Sequence, residues 1–194
     1  QGVNKGDRVI IYMPMIPQAV VTMLACGRIG AVHSVVFGGF AANELASRID
    51  DSKAKLIVTA SCGYEPGRTV HYKPLINKAL ELVNHKPDKC IIYQREKDKA
   101  EINSSIDITW EDSIKDVKPA ECEQMNANDD AYILYTSGTT GLPKGIVRDI
   151  GGHIIALKWT MKNIYNIEQD DVWWSASDIG WIVGHSYIVY APLF

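Results

Sequence analysis

The sequence predicts an α/β fold with largely parallel sheets and flanking helices. Short continuous apolar runs, typical of strands buried on both faces, recur along the first half of the chain. Stretches with apolar residues at helical spacing separate these runs, and loops rich in glycine and hydroxyl side chains follow several of them. Strands that alternate with helices at this spacing imply right-handed crossovers and therefore a parallel sheet.

The first half of the chain supplies four predicted strands and three predicted helices. Pro17 suits the first turn of the first helix, because its missing N–H needs no partner there. Gly38 and Gly39 form a tight turn before the second helix, and Pro74 begins the third. The predicted strands cover residues 8–13, 31–37, 56–58 and 90–93, and the apolar helix positions include Leu24, Leu45, Ile49, Ile76 and Leu80.

The second half is less regular. Residues 94–107 and 115–130 are charged and weakly patterned, which indicates a surface excursion between two sheet units. We place a boundary near Asp129, with a first α/β unit at 1–128 and the start of a second sheet unit at 129–194. The second unit is predicted to contain strands at 131–134 and 172–176, a helix at 152–167 that is apolar nearly all round and therefore buried, and a pocket-forming loop at 178–186.

Composition excludes several functional classes. With 46% apolar and 22% charged residues among 194, the chain has ordinary globular composition. A net charge of −3 offers no basic footprint for nucleic acid, and no segment is apolar enough to span a bilayer. The four cysteines lack metal or redox spacing, and the five histidines contain no His-x-x-x-His pair, so no metal site is predicted. The chain begins without methionine and is expected to be a piece of a longer protein.

The most informative stretch is a loop of hydroxyls, glycines and one lysine after the strand at 131–134. Glycines let the backbone N–H groups turn inward, and consecutive inward N–H groups form a nest for an anion. Hydroxyls add donors, and Lys144 supplies a mobile positive charge for phosphate. We therefore predict that a polyphosphate binds at Thr136, Ser137, Gly138, Thr139, Thr140, Gly141 and Lys144.

Better-known motifs do not fit. A Walker-type loop requires Ser or Thr after its lysine, but Gly145 follows Lys144, and the dinucleotide pattern G-x-G-x-x-G is absent. The serine-hydrolase pattern fails because Ile188 stands where its second glycine belongs. The bland alternative for the loop is a solvated Ser/Thr/Gly turn, which would need neither the lysine nor the three glycines.

Four residues keep two interpretations. His185 either lines a pocket or is a satisfied structural histidine, and Trp181 is either a pocket wall or a packing residue. We favour a structural role for Asp178 over contact with a ligand or Mg²⁺, since no partner carboxylate lies nearby in sequence. Arg68, on a Gly/Pro loop after the third strand, is either a solvated charge or a phosphate ligand.

The chain resembles the short-chain acyl-CoA synthetases, the acetyl- and propionyl-CoA synthetase group of the adenylate-forming enzymes. The resemblance covers essentially the whole chain and is closest to the propionyl type at 59–68. It implies the α/β fold of part of the large N-terminal domain. The stretches that carry it are 12–15, 24–26, 29–34, 36–40, 59–68, 135–145 and 180–187.

The resemblance assigns roles to individual positions. Residues 136–144 match the loop that handles the phosphates of ATP, with Lys144 as the catalytic residue of this chain. Trp181 and Ile182 border the acyl pocket. Glu65 departs from acetyl-type enzymes, which usually carry arginine there, so Arg68 is expected to carry the phosphate contact alone. The positions that correspond to the coenzyme A surface are Gly38, Gly39, Glu65, Pro66, Gly67, Arg68 and Val183.

The implied reaction consumes ATP, with Mg²⁺, to convert a short-chain carboxylate into an acyl-adenylate that coenzyme A then attacks. Propionate is favoured over acetate, in an intracellular compartment, with the mitochondrial matrix preferred and the cytoplasm as the alternative. Such enzymes continue for several hundred residues past Phe194, so the chain alone is expected to be inactive. Two alternatives stay open: another adenylate-forming ligase or adenylation domain, and a nucleotide-binding module that has lost catalysis.

Overall fold

A seven-stranded sheet forms the centre of the molecule in the computed structural model, which describes residues 1–136 and 143–194. Six of its strands are parallel to their neighbours, and the last is antiparallel. The strand order is β7-β6-β3-β1-β2-β8-β9. The strands are β1 (Arg8–Tyr12), β2 (Val32–Val35), β3 (Leu56–Ala60), β6 (Lys89–Tyr93), β7 (Asp107–Thr109), β8 (Asp130–Thr136) and β9 (Lys144–Asp149). The predicted α/β fold is confirmed.

Helices cover both faces of this sheet. They are α1 (Pro17–Arg28), α2 (Ala42–Ser52), α3 (Tyr72–Leu82), α4 (Trp110–Ile114), α5 (Ile150–Asn163) and a single turn α6 (Ile182–Gly184), which continues as a π-helix (His185–Tyr190) and a 3-10 turn (Ala191–Leu193). The described helices include none long and apolar enough to cross a membrane.

The core has two layers because successive strand side chains point to opposite faces. In β1, Ile10 and Tyr12 pack against α2 and α3, whereas Val9 and Ile11 pack against α1. All four side chains are at most 1% exposed. This double burial explains why the strands read as continuous apolar runs.

Three sequence predictions were wrong. The Gly/Pro loop expected after the third strand is instead part of a two-stranded antiparallel hairpin, β4 (Cys62–Glu65) and β5 (Arg68–His71). Residues 172–176 were expected to be a strand; no strand forms there in the described chain, and Trp174 is 82% exposed. Residues 178–186 were expected to be a loop, but a helix begins at Ile182.

The burial predicted for the helix after the phosphate loop was also wrong. This helix is α5, and within it only Leu157 and Met161 are buried. Ile155 and Trp159 are more than half exposed. The all-round apolar pattern therefore leaves an exposed apolar side on α5 in this chain.

The predicted boundary near Asp129 falls just before β8. In the described residues β8 and β9 extend the same sheet that contains β1 to β3, since His33 of β2 pairs with Tyr132 of β8. The division of the chain into two units stays a prediction.

Candidate functional site

The carboxyl ends of the parallel strands bring the predicted site residues to one edge of the sheet. The order β3-β1-β2-β8 places the segments that follow β3, β2 and β8 at the same end of neighbouring parallel strands, with β1 between β3 and β2. These segments are the Gly38–Gly39 turn, the β4–β5 hairpin and the loop that begins at Thr136. Ligands of open α/β sheets bind at this edge, so the sheet order alone makes it the candidate site.

The hydroxyl of Tyr72 joins two of these segments. A Cβ placed on Gly38 would lie 2.5 Å from the Tyr72 oxygen, and one placed on Gly63 would lie 3.0 Å from it. Tyr72 is buried, and burial, followed by the carboxylates of Glu65 and Asp178, raises its pKa to about 12. The turn and the hairpin are therefore packed against a neutral phenol, and larger residues than glycine would separate them.

Glu65, which stands where acetyl-type enzymes usually carry arginine, lies at the tip of the hairpin. The carboxylate of Glu65 accepts hydrogen bonds from Nε and Nη2 of Arg68, both at 2.6 Å. Gly67 has a φ of 77°, in the left-handed region that the turn after Pro66 requires. Arg68 is thus an exposed charge that is paired with Glu65, and any phosphate ligand would have to share or displace this contact.

Aromatic rings connect the Gly38–Gly39 turn to the segment before α6. The ring of Trp181 lies 5.6 Å from the ring of Phe37 and 6.1 Å from that of Phe40. A Cβ on Gly180 would lie 3.0 Å from the Cα of Phe37, so the two chain segments are in direct contact. Trp181 packs on these rings while remaining 46% exposed, which confirms its packing role; its role as a pocket wall stays a prediction.

Residues 178–184 form a tight turn that leads into α6. Asp178 Oδ1 accepts a hydrogen bond from the N–H of Gly180 at 2.7 Å, and its carbonyl accepts one from Trp181. This supports the structural role favoured for Asp178. Ile182 and Val183 follow on the helical turn and are each about half exposed, beside the Trp181 ring.

The phosphate loop joins two antiparallel strands. Thr136, the last residue of β8, pairs with Lys144, the first residue of β9, and both are exposed. Ser137, Gly138, Thr139, Thr140 and Gly141 were predicted to bind phosphate, and they lie outside the described residues. The hairpin geometry fixes where both ends of the loop are, at the edge next to β2.

Helix α2 links the base of the phosphate loop to the Gly38–Gly39 turn. The hydroxyl of Tyr135 donates a hydrogen bond to Asp51 Oδ2 at 2.7 Å. Arg48 is only 4% exposed, and its guanidinium carbon lies 4.6 Å from the centroid of the Phe40 ring and 5.3 Å from that of the Tyr135 ring. Sequence reasoning missed Arg48, because a charged residue on a helix ordinarily predicts a solvated position.

A buried pair of histidines was also missed. Nε2 of His33 lies 3.1 Å from Nε2 of His185, and the two ring planes are 16° apart with centroids separated by 5.1 Å. Burial lowers the pKa of His185 to about 4 and that of His33 well below its ordinary value, with repulsion among the neighbouring histidines adding to the effect. Both ring nitrogens of His185 have hydrogen-bond partners, so His185 is the structural histidine that one of its two interpretations predicted.

Comparison with known proteins identifies the family. A family model described as "AMP-binding enzyme" matches residues 1–194. The chain belongs to the AMP-binding enzyme family.

Similar full-length proteins include members of the predicted group. The chain is 55% identical over 194 residues to the mouse protein named acyl-CoA synthetase short-chain family member 3, mitochondrial, covering 100% of the chain and 28% of that protein. It is 45% identical to an acetyl-coenzyme A synthetase of Xylella fastidiosa, covering 99% of the chain and 30% of that protein. An uncharacterized protein of Pseudomonas aeruginosa is 56% identical over 192 residues, covering 99% of the chain and 31% of that protein.

A solved structure shares the fold. The acetoacetyl-CoA synthetase from Streptomyces lividans superposes with a TM-score of 0.87 at 25% sequence identity, over 99% of this chain and 29% of that chain. The chain thus spans less than a third of the length of the proteins it matches.

Proposed function

We propose that the full-length protein containing these residues is an AMP-forming acyl-CoA synthetase for a short-chain carboxylate, with propionate preferred and acetate next. The observation that carries this proposal is the convergence, at one sheet edge, of the segments assigned to ATP, acyl group and coenzyme A. The family match over the whole chain and the names of the similar proteins support it. The 194-residue chain alone is proposed to be inactive.

The chemistry explains why such an edge is needed. A carboxylate is a poor acyl donor, because its leaving group would be oxide. An oxygen of the carboxylate therefore attacks the α-phosphorus of ATP and pyrophosphate leaves. The coenzyme A thiolate then attacks the carbonyl carbon of the acyl-adenylate, and AMP leaves. Each step concentrates negative charge on phosphate oxygens, and preorganised donors lower the barrier most effectively there.

Thr136 and Lys144 are proposed to supply part of that stabilisation. Their pairing at the base of the hairpin places a hydroxyl and an ammonium at the two ends of the phosphate loop. The intervening Ser137, Gly138, Thr139, Thr140 and Gly141 are proposed to add hydroxyl and backbone donors. Lys144 is the candidate catalytic residue, because its charge would contact the departing pyrophosphate.

Mg²⁺ is proposed to arrive with the nucleotide. This ion is usually bound by one or two carboxylates together with substrate phosphates. Within the part of the chain that the structure describes, no cluster of three or more histidine, cysteine or acidic side chains could hold a metal. The residues present therefore do not form a protein cage for Mg²⁺, and we assign it no step here.

The coenzyme A surface is proposed to combine the Gly38–Gly39 turn, the hairpin tip and Val183. At Gly38 and Gly39 the space of a side chain is occupied by Tyr72 and Phe37, so glycine keeps this turn packed tightly at the proposed surface. At the tip, Pro66, Gly67 and Arg68 face the ligand, while Glu65 competes with it for the Arg68 guanidinium. The net effect is a weaker phosphate site than two arginines would provide.

The acyl pocket is proposed to lie at Trp181 and Ile182. Both side chains are about half exposed, and the Trp181 ring packs on the Phe37 and Phe40 rings, which would add apolar surface for a short alkyl chain. One methylene changes binding in such a pocket by only about 1–3 kcal/mol. Selectivity between acetate and propionate is therefore expected to be graded.

The protein is proposed to act in the mitochondrial matrix. Support comes from the mitochondrial names of relatives that are 53–55% identical. A bacterial relative is equally similar, which keeps the cytoplasm as the alternative.

The test is carboxylate-dependent ATP–pyrophosphate exchange by the full-length protein, with acids of two to six carbons. We expect exchange with propionate and, less efficiently, acetate. Lys144→Ala should slow exchange about 100-fold, as the loss of one preorganised donor does elsewhere. Lys86→Ala is the matched control, since Lys86 is also exposed but precedes β6 at the opposite sheet edge. Equal rates for the two variants would remove Lys144 from the mechanism.

A further inference from the structure

The buried pair His33–His185 lies directly behind the proposed acyl and coenzyme A contacts. His33 is on β2 and is 1% exposed, whereas His185 follows α6 and is 0% exposed. The two residues are 152 positions apart in sequence. Two polar rings at the centre of a packed region are costly unless hydrogen-bonded, so their contacts determine how the region is held together.

The hydrogen bonds define one arrangement of protons. His185 Nδ1 lies 3.0 Å from the carbonyl oxygen of Ile179, which can only accept, so Nδ1 carries the hydrogen. A neutral His185 then has an accepting Nε2, and His33 must donate to it from its own Nε2. The hydroxyl oxygen of Tyr190 lies 3.2 Å from His33 Nε2 and accepts from the same N–H of His33.

This pair connects the site to two strands of the sheet. Through Nδ1, His185 holds the turn that contains Ile179, and through Nε2 it holds β2. Its ring also packs against that of Tyr132 in β8, with centroids 4.3 Å apart. The strands β2 and β8 end in the Gly38–Gly39 turn and the phosphate loop, respectively.

The side chains that the pair would place are immediate neighbours. Ile182 and Val183 lie between Ile179 and His185, that is, between the two hydrogen-bonded ends of the turn. A Cβ on Gly184 would overlap the carbonyl of Asp178, so this turn has no room to repack. A change in the ring position of His185 must therefore move Ile182 and Val183 relative to β2.

We propose that His33 and His185 are positioning residues that fix the acyl-pocket and coenzyme A contacts of Ile182 and Val183 through a directional imidazole pair. The inference rests on the proposed function. It predicts that disturbing the pair alters carboxylate selectivity and coenzyme A affinity. The binding of ATP, proposed at the loop after β8, should be nearly unchanged, because the pair's side-chain hydrogen bonds reach Ile179 and Tyr190 and not β8.

Two substitutions at His185 separate its two hydrogen bonds in the full-length protein. In His185→Asn the amide nitrogen can replace Nδ1 toward Ile179, whereas in His185→Gln the longer amide can replace Nε2 toward His33. Both should raise the KM for coenzyme A about five- to 20-fold and reduce the preference for propionate over butyrate at least about threefold, each having lost one directional hydrogen bond. The KM for ATP should change less than about twofold.

Two further variants separate a positioning role from general instability: a control that should have no effect and a milder change to the pair. Ile76→Val shortens a fully buried side chain of α3 on the other face of the sheet and should leave both selectivity and KM values unchanged. Tyr190→Phe removes only the hydroxyl near His33 and should give a weaker version of the His185 effect. This second variant keeps the test decisive where substitution of His185 prevents folding.

The outcomes distinguish the inference from the proposed function. Imidazole ¹⁵N spectra should show hydrogen on Nδ1 of His185 and on Nε2 of His33, and the reverse assignment would overturn the pair itself. Wild-type exchange with unaltered selectivity and KM for coenzyme A in the variants would overturn the positioning role alone. Wild-type protein without exchange for any acid would overturn the proposed function, and this inference with it.

Discussion

Lowering the pH from about 7.5 to about 5.5 should destabilise the protein through His33 and His185. Both histidines are buried in the folded state, and their pKa values lie below the ordinary value of 6.5, to about 4 for His185. The groups that face them are His153, Tyr132 and Tyr190. Of these, His153 has its pKa lowered to about 4, chiefly by burial, so it acts in the same direction.

The sign follows from proton uptake. Above the unfolded pKa the histidines are neutral in both states, and the full stability is present. As the pH falls below that value, the unfolded chain binds protons that the folded protein excludes, so stability is lost until the folded pKa is reached. At pH 5.5, His153 and His185, with folded pKa values of about 4, each contribute a loss on the order of 1 kcal/mol, and His33 adds a loss of the same sign.

Urea unfolding followed by tryptophan fluorescence at the two pH values measures this loss. The urea midpoint should fall while the dependence of unfolding free energy on urea stays constant, because the same surface is exposed. His185→Leu should remove roughly a third of the pH-dependent part, since one of the three buried proton acceptors, His33, His153 and His185, is lost. A free energy of unfolding that is unchanged at the lower pH would refute neutral burial of the pair.

Three further sets of substitutions test other parts of the structure. Gly184→Ala should lower the free energy of unfolding, measured with urea, by at least about 2 kcal/mol, because its Cβ would overlap the Asp178 carbonyl. Gly27→Ala is the control: Gly27 lies in α1 with open space around it, so this change should be neutral or slightly stabilising. Glu65→Gln should lower the KM for coenzyme A about two- to fivefold, because it releases Arg68 from the ion pair. Arg68→Ala should raise the same KM about fivefold without slowing ATP–pyrophosphate exchange. A higher KM in Glu65→Gln and a lower one in Arg68→Ala would contradict the assigned surface. Lys73→Met should lower the free energy of unfolding by about 3–5 kcal/mol, because it leaves the buried Asp107 carboxylate without its ion-pair partner. The double variant Lys73→Met with Asp107→Leu should recover most of this stability. A double variant as unstable as the single one would disprove this explanation.

The sequence predicted the sheet well because its signals are local. Continuous apolar runs marked β1, β2, β3 and β6, since a strand buried on both faces needs apolar residues at every position. The Gly38–Gly39 turn was predicted for the same reason, as two adjacent glycines identify a turn without reference to the rest of the chain. The edge at which the loops meet then followed from the parallel topology.

Errors arose where the outcome depends on distant partners. Residues 172–176 have a strand-like composition, but a strand also needs a neighbour to complete its hydrogen bonds, and Val172 is 97% exposed in this chain. The β4–β5 hairpin was missed because its turn at Pro66 and Gly67 made the whole segment look like a loop.

The most consequential parts of the site could not be predicted from local pattern. His33 and His185 are 152 residues apart, and nothing near either one indicates the other. Arg48 looks like a surface charge on α2, and only the tertiary structure places it between Phe40 and Tyr135. The Glu65–Arg68 ion pair was not predicted either, although Glu65 was noted as a departure from the arginine expected of acetyl-type enzymes.

Carboxylate-dependent exchange of pyrophosphate into ATP is the most direct test of the proposed enzyme. In the full-length protein, labelled pyrophosphate should enter ATP when propionate is present and not when it is omitted, and coenzyme A should not be needed. Subsequent addition of coenzyme A should release AMP and form propionyl-CoA in equal amounts. Exchange that ignores the carboxylate, or that is absent with every acid from two to six carbons, would contradict the claim that this edge of the sheet activates a short-chain acid.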